Sequence, residues 1–343
     1  MVWKNKNQRT GEIYDAIICM KNKKMFLIAD DGIICYNLDT GRQEWKNDQI
    51  VSLYTPLLVD NILISGAKNM PGIYYTDIET GESKCAINTE GYVHLMQFDD
   101  KMNLFIITTA DKITKKYNLE YYNFRTRKSD KILFFEHQAK NQLEYYNSTL
   151  ILNTWDDGMV YFIDGETHKI IRKRHIENWT LLGQKSFVCT DNSIFFLNKK
   201  FLFEENIKTG DLIRTISLSS SVHANFLEVD NNYILLPGRN LQIYNIDNQN
   251  IIEFVNDDKA SIDFYATVLD NGNLLFYDND YVYTYNMEKN SKERIYQLKG
   301  MEVYRLFYFD KYVFLILTDN IIETLADNKP VNLILLNLAF FNQ

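Results

Sequence analysis

The sequence predicts an all-β fold: an eight-bladed β-propeller of four-stranded antiparallel blades, formed by residues 1–343 as a single domain. Three observations lead there. A short motif returns about every forty residues, a second turn signal keeps the same period, and no run shows a helical apolar period over three turns. Composition agrees. With 46% hydrophobic and 24% charged residues, 343 residues bury a large core without needing disulfides or metals.

The first unit sets the pattern. Residues 14–20 and 25–29 are apolar runs, a turn follows at Asp30-Asp31-Gly32, then come 33–37, a turn at Asp39-Thr40-Gly41, and a last run at 43–46. Short β-branched and aromatic runs divided by Asp-Gly and Thr-Gly pairs read as strands joined by tight hairpins. The fourth unit repeats this with 150–153, Trp155-Asp156-Asp157-Gly158, 159–163, Gly165-Glu166-Thr167 and 168–172.

The motif Tyr36-Asn37-Leu38-Asp39-Thr40-Gly41 returns as Thr76-Asp77-Ile78-Glu79-Thr80-Gly81. Fainter echoes follow at Tyr117-Asn118-Leu119-Glu120, Phe162-Ile163-Asp164-Gly165 and Asn206-Ile207-Lys208-Thr209-Gly210. The last three are Asn245-Ile246-Asp247-Asn248, Asn286-Met287-Glu288-Lys289 and Thr324-Leu325-Ala326-Asp327. An independent polar turn precedes each: Lys21-Asn22, Asp60-Asn61, Asp99-Asp100, Asn147-Ser148, Asp191-Asn192, Asp230-Asn231, Asp270-Asn271 and Asp310-Lys311. Two markers with one period indicate eight units. A seven-bladed ring with an extra hairpin stays open, because the last echo is the faintest. Both chain ends are strand-like, so either is able to complete the closing blade.

The segment Asp31-Gly32-Ile33-Ile34-Cys35-Tyr36-Asn37-Leu38-Asp39-Thr40-Gly41-Arg42-Gln43-Glu44-Trp45 resembles a repeat of the quinoprotein alcohol dehydrogenase-like (PQQ-like) propeller family. The second unit keeps Asp77-Ile78-Glu79-Thr80-Gly81-Glu82 but has Cys85 where a tryptophan is expected, and the fifth keeps Lys208-Thr209-Gly210. The resemblance implies that Trp45, with Trp3 as a second candidate near the closure, docks neighbouring blades. It also implies that the 23 Tyr and 21 Phe do this where tryptophan is missing. The family's enzymes use an adjacent-cysteine disulfide over the quinone and acidic ligands for calcium. This chain has no Cys-Cys pair, so the resemblance points to a non-enzymatic member.

Charge narrows the partner. Lys and Arg total 37 against 45 Asp and Glu, a formal net charge of −8, where a nucleic-acid binder shows a basic balance or stripe. The short runs Arg125-Thr126-Arg127-Lys128 and Arg172-Lys173-Arg174-His175 read as solvated rim charge, so no nucleic acid is expected. Cys19, Cys35, Cys85 and Cys189 lie in apolar strand-like runs and read as buried free thiols of a reducing compartment. His94, His137, His168, His175 and His223 are scattered without ligand spacing, and no metal or cofactor is expected. The start of the sequence is polar, and the apolar run 331–341 is too short for a membrane helix, so a cytoplasmic monomer with no membrane contact is expected.

Recurrent acidic pairs such as Asp30-Asp31, Asp156-Asp157 and Asp278-Asn279-Asp280 lack the glycine and late glutamate of a calcium loop. They read as turn residues bonding their own backbone. No nucleophile elbow, phosphate loop or HExxH motif occurs. The expectation is a non-catalytic scaffold that binds a partner protein through loops between the second and third strands of its blades. Met70 and Trp155 are the candidate anchors, with local packing of Trp155 on its own blade as the competing account; Asp31, Asp157, Arg239 and Asp280 are candidate rim charges. A sharper form is a bacterial immunity protein neutralising a cognate toxin, since an acidic binder suits a basic toxin domain. Two alternatives stand beside it: a carboxylate-dependent hydrolase or lyase acting in a central channel, and an assembly scaffold of envelope proteins.

Overall fold

The computed structural model describes residues 1–51, 56–67, 70–111, 116–136, 139–154, 158–176, 187–198, 200–219, 228–230, 232–236, 241–254, 266–269, 273–277, 280–286, 289, 291–319 and 330–338. These form 32 strands in eight four-stranded antiparallel sheets, the blades of an eight-bladed β-propeller.

After β1 (Trp3–Gln8), the first sheet holds β2 (Ile13–Cys19), β3 (Lys24–Ala29), β4 (Gly32–Asn37) and β5 (Gln43–Asn47). The second holds β6 (Leu57–Val59), β7 (Ile62–Gly66), β8 (Ile73–Asp77) and β9 (Ser83–Ile87), and the third β10 (Val93–Phe98), β11 (Leu104–Asp111), β12 (Lys116–Asn123) and β13 (Lys128–Phe135). The fourth holds β14 (Ala139–Tyr146), β15 (Thr149–Thr154), β16 (Met159–Asp164) and β17 (Ile170–His175). The fifth holds β18 (Phe187–Cys189), β19 (Ser193–Asn198), β20 (Phe201–Asn206) and β21 (Leu212–Ser217). The sixth holds β22 (Glu228–Asp230), β23 (Tyr233–Leu236), β24 (Leu241–Asn245) and β25 (Ile251–Phe254). The seventh holds β26 (Ala266–Val268), β27 (Leu274–Tyr277), β28 (Tyr281–Asn286) and β29 (Ser291–Gln297). The closing sheet runs β30 (Glu302–Phe309), β31 (Tyr312–Thr318), β32 (Val331–Asn337) and then β1, so the N-terminal strand is its outermost member, pairing Trp3 with Leu335.

The chain forms two compact units. Met1–Glu136 with Leu298–Gln343 carries sheets one to three and the closing sheet; His137–Gln297 carries sheets four to seven. Within each sheet burial is graded: β3 is buried at all six positions, whereas β5 is mostly exposed. The unbroken apolar run Met25-Phe26-Leu27-Ile28 reflects burial on both faces. Successive strand residues point to opposite sides, so Met25, Leu27 and Ala29 join a cluster with Phe314 and Leu335 of the closing sheet, while Phe26 and Ile28 join Leu63 and Ile78 of the second.

The recurring motif is a side-chain-capped turn after the third strand. Asn37 Oδ1 accepts from the backbone N–H groups of Asp39 (3.2 Å) and Thr40 (3.0 Å), Asp77 Oδ1 from Glu79 and Thr80 (both 2.9 Å), and Asn206 Oδ1 from Lys208 (2.9 Å) and Thr209 (3.0 Å). Asn123, Asp164, Asn245 and Asn286 cap their turns in the same way. This corrects the phase of three units. Leu119 lies inside β12, and the third unit's turn comes five residues later, at Phe124, because β11, β12 and β13 are eight residues long. In the fourth unit the position of Leu38 falls to Gly165, whose N–H reaches Ser148 O as Leu38 N–H reaches Lys23 O. In the closing unit it falls to Leu338, bonded to Lys311 O; the echo at 324–327 lies outside the described residues.

The sheets dock through a repeated clamp. Trp3-Lys4-Asn5 and Trp45-Lys46-Asn47 occupy outermost strands. Trp3 Nε1 donates to Leu38 O at 2.8 Å and Asn5 Nδ2 to Gly41 O at 2.7 Å; Trp45 Nε1 donates to Ile78 O at 3.0 Å and Asn47 Nδ2 to Gly81 O at 2.8 Å. Each indole lies flat on the turn glycine of the next sheet: a Cβ built on Gly41 would meet Trp3 Cδ2 at 2.5 Å, and one on Gly81 would meet Trp45 Cδ2 at 2.7 Å. Elsewhere the tryptophan position is not taken by Tyr or Phe, contrary to expectation. Arg172 fills it in the fourth sheet, stacked 3.7 Å over the Phe162 ring and crossing to Glu205 of the fifth at 2.9 Å. Arg214 fills it in the fifth, reaching Tyr244 Oη of the sixth at 3.2 Å. Aromatic packing between sheets does occur, as in Phe195 against Tyr244, but deeper in the core.

Two stability tests follow. Gly81 and Gly300 share a left-handed backbone, φ +75° and +78°, but nothing lies within 4 Å of a Cβ on Gly300. Gly300→Ala should lose only the conformational cost, about 1–2 kcal/mol. Gly81→Ala should lose a further ~1–3 kcal/mol from displacing the indole. Equal losses in urea unfolding would show that the indole yields. The second test concerns His94, half-buried with a ring nitrogen 2.5 Å from Thr109 Oγ1; burial lowers its pKa to about 4. The unfolded imidazole titrates near 6.5, so this stability is complete above about pH 6.5 and is lost as pH falls toward 4. His94→Gln should flatten the change in urea midpoint between pH 7 and pH 4.5.

Candidate binding face

The end of the first sheet bearing Asp31 joins a tight turn to two linkers. Asp30 N–H donates to Glu12 O at 2.8 Å and Asp31 N–H to Thr10 O at 3.4 Å, so the linker entering β2 and the turn from β3 to β4 form one surface. Tyr14 Oη donates to Asp30 Oδ1 at 2.6 Å, and burial together with this carboxylate pushes the phenol pKa up. Asp31 remains at the surface, its side chain 39% exposed, with Lys46 Nζ at 3.3 Å. Such a pair is worth about 0–1 kcal/mol, so the carboxylate can exchange partners cheaply.

The corresponding end of the second sheet is pinned. Gly72 N–H donates to Thr89 Oγ1 at 2.7 Å, Thr89 Oγ1 donates to Gly91 O at 2.6 Å, and Tyr74 Oη donates to Pro71 O at 3.0 Å. Met70 is partly buried and packs against the core cluster shared by the first and second sheets, which includes Ile33 and Ala67. Among the described residues, the exposed linker residues Glu12, Asp48, Glu90 and Glu136 add to Asp30 and Asp31, against Arg9, Lys46, the Lys116 that meets Glu136 at 3.5 Å and the Lys131 that meets Glu90 at 2.8 Å. The linker acids were missed in the sequence; the repeat phase locates them, since they follow outermost strands.

Asp280 is exposed at the start of β28 in the second unit. Trp155, Asp157 and Arg239 lie outside the described residues. The structure thus brings Met70 and Asp31 to neighbouring sheets of one unit.

Reactive chemistry is sparse among the described residues. No group of three or more His, Cys, Asp or Glu side chains is placed to hold a metal ion. Burial pushes the Cys35 thiol up to about 12 and raises that of Cys189, so both keep their protons at neutral pH. Cys85, expected to be buried, is exposed because it lies on the outermost strand β9. A maleimide reagent should therefore modify Cys85 in the native protein well before Cys19, Cys35 or Cys189, and Cys85→Ser should remove the fast phase. A fast phase surviving that change would contradict the burial of Cys19 and Cys35 and the partial burial of Cys189.

No protein-family model matches the chain, and no curated protein matches it. Among solved structures it is similar to BamB from Moraxella catarrhalis, at 12% identity and a TM-score of 0.62, covering 97% of this chain and 96% of that one. It is also similar to the dihydro-heme d1 dehydrogenase NirN in complex with DHE, at 9% identity and a TM-score of 0.61, covering 83% of this chain and 66% of that one. What these neighbours share with the chain is the propeller fold.

Proposed function

We propose that this chain is a non-catalytic propeller scaffold that binds a partner protein inside the cell, through the loop end of its first unit. The carrying observation is the acidic end of these sheets, in which Glu12 and Asp31 stand on segments tied by backbone hydrogen bonds and Asp48 and Glu90 are exposed on the linkers. Fixed like charges on stiff loops attract a cationic partner and lose little entropy on binding. The sharper reading is an immunity protein that neutralises a basic toxin domain. The net charge of −8 and the excess of carboxylates at this end support it.

The test uses the intact protein and any toxin encoded beside its gene. Binding should weaken steeply with salt, and a variant with Glu12→Lys, Asp31→Lys, Asp48→Lys and Glu90→Lys should bind and inhibit at least about tenfold less well. Unchanged inhibition by that variant, or no binding by the native chain, would reject the reading. The likeness to BamB over nearly the whole of both chains favours an assembly scaffold of envelope proteins as the second reading. Retention of the native protein in a membrane fraction would select it.

A further inference from the structure

The outermost strand β17 is unlike the rest of this acidic chain. From Lys169 to His175 it carries Lys169, Arg172, Lys173 and Arg174 with no carboxylate. The nearby turn acids are engaged in their own turns: Asp164 Oδ1 caps Glu166 and Thr167, and Asp211 Oδ2 accepts Thr209 Oγ1. Arg172 and Arg174 both reach Glu205, at 2.9 and 2.6 Å, so two guanidiniums share one carboxylate and positive charge is left over.

Exposed apolar residues concentrate at the same place. Ile170 and Ile171 on β17 are 37% and 57% exposed, and Leu212 and Ile213 on the neighbouring outermost strand β21 are 56% and 48% exposed. Lysines alone commonly guard a sheet edge against pairing, but a guard does not need an exposed Ile-Ile pair beside it.

Among the described residues β17 is an outermost strand and pairs with β16 alone, in the register Tyr161–Lys173 and Met159–His175. The bond from Ile176 N–H to Gly158 O at 3.0 Å identifies 158/176 as a hydrogen-bonded pair, and alternation makes 160/174 the next one. The N–H and C=O of Lys173 therefore point away from β16, toward the outer edge.

We propose that β17 is a second docking surface, which takes an extended, acidic and apolar segment of a partner protein as a fifth strand. Main-chain bonds at Lys173 supply pairing, Ile170 and Ile171 supply burial, and the surplus cations select carboxylates. Charge complementarity selects an anionic segment, and the apolar surface favours a peptide over nucleic acid. The exposed apolar side chains here are aliphatic and offer no stacking face for bases. This proposal shares no residue with the acidic loop end, so either can fail alone.

The test measures binding of a synthetic decapeptide alternating glutamate and valine to the full chain. Its controls are the same peptide with lysine for glutamate and a single-stranded oligonucleotide. Lys173→Pro removes the outward N–H without touching the ladder to β16, Lys173→Ala removes the charge and its contact with the Tyr161 ring but keeps the N–H, and Ile171→Ser removes apolar surface. The acidic peptide should bind with salt sensitivity, and both controls should fail. Lys173→Pro and Ile171→Ser should each weaken binding at least about tenfold, with Lys173→Ala less harmful than Lys173→Pro. Melting curves accompany each variant, and if the proline variant melts early, Ile171→Ser decides. Equal binding by Ile171→Ser, binding of the oligonucleotide alone, or a dimer of the native chain that Ile171→Ser dissolves would each overturn the proposal.

Discussion

The indole of Trp45, lying on Gly81 with its N–H spent on Ile78 O, is the contact on which the arrangement of neighbouring sheets depends. A packed indole must place its single donor, and here the neighbouring sheet offers a turn carbonyl as the acceptor. That requirement explains why the turn is so tightly specified. Asp77 caps the backbone, Gly81 adopts a left-handed conformation, and the absence of a Cβ lets the ring approach. Asn47, two residues on, takes Gly81 O and Ser83 Oγ, which fixes rotation as well as distance. The same device at Trp3 and Asn5 fastens the N-terminal strand, so closure of the last sheet and its docking to the first are one event.

Because the framework is held by turns at one end of each sheet, the opposite ends have fewer constraints on residue type. Lys24 illustrates the first kind of end: it is buried, paired with Glu44 of its own sheet and with Glu79 of the next. Glu44 is held below the usual carboxylate range chiefly by that lysine. Asp31 illustrates the other: its backbone is tied down, but its carboxylate sits at the surface in a weak pair. Charge at the first end is committed to structure, and charge at the second is available to a partner.

Much of this was legible. The period could be read because an Asx-capped turn is local: Asn37 to Gly41 and Asp77 to Gly81 specify the same bonds with nearly the same letters. The phase slipped where strands lengthened. Asn118-Leu119-Glu120 imitates the turn motif but is paired with β11 and β13 along its length, and no local signal separates the two cases. The repeated Trp-Lys-Asn stands in the sequence at residues 3–5 and 45–47, but nothing local marks the asparagines, because their partners are carbonyls some 35 residues away. The exposure of Cys85 follows from strand order, which composition does not carry.

The replacement of the clamp also bears on function. In the fourth sheet Arg172 and Arg174 stand where Trp45 and Asn47 stand in the first, and Glu205 replaces the turn carbonyls as acceptor. A tryptophan–asparagine clamp is neutral and leaves the outer strand's charge to the residues around it. An arginine–arginine clamp brings two cations and neutralises one, because a buried glutamate accommodates only as much charge as the sheet behind it can solvate. The residual charge must lie outward, on the strand edge that also exposes Ile171. The basic character of that edge thus follows from how the fourth and fifth sheets are joined: Trp-Lys-Asn at 172–174 would remove the surplus charge but leave Glu205 buried without a cation, so a neutral clamp there also requires a neutral residue at 205.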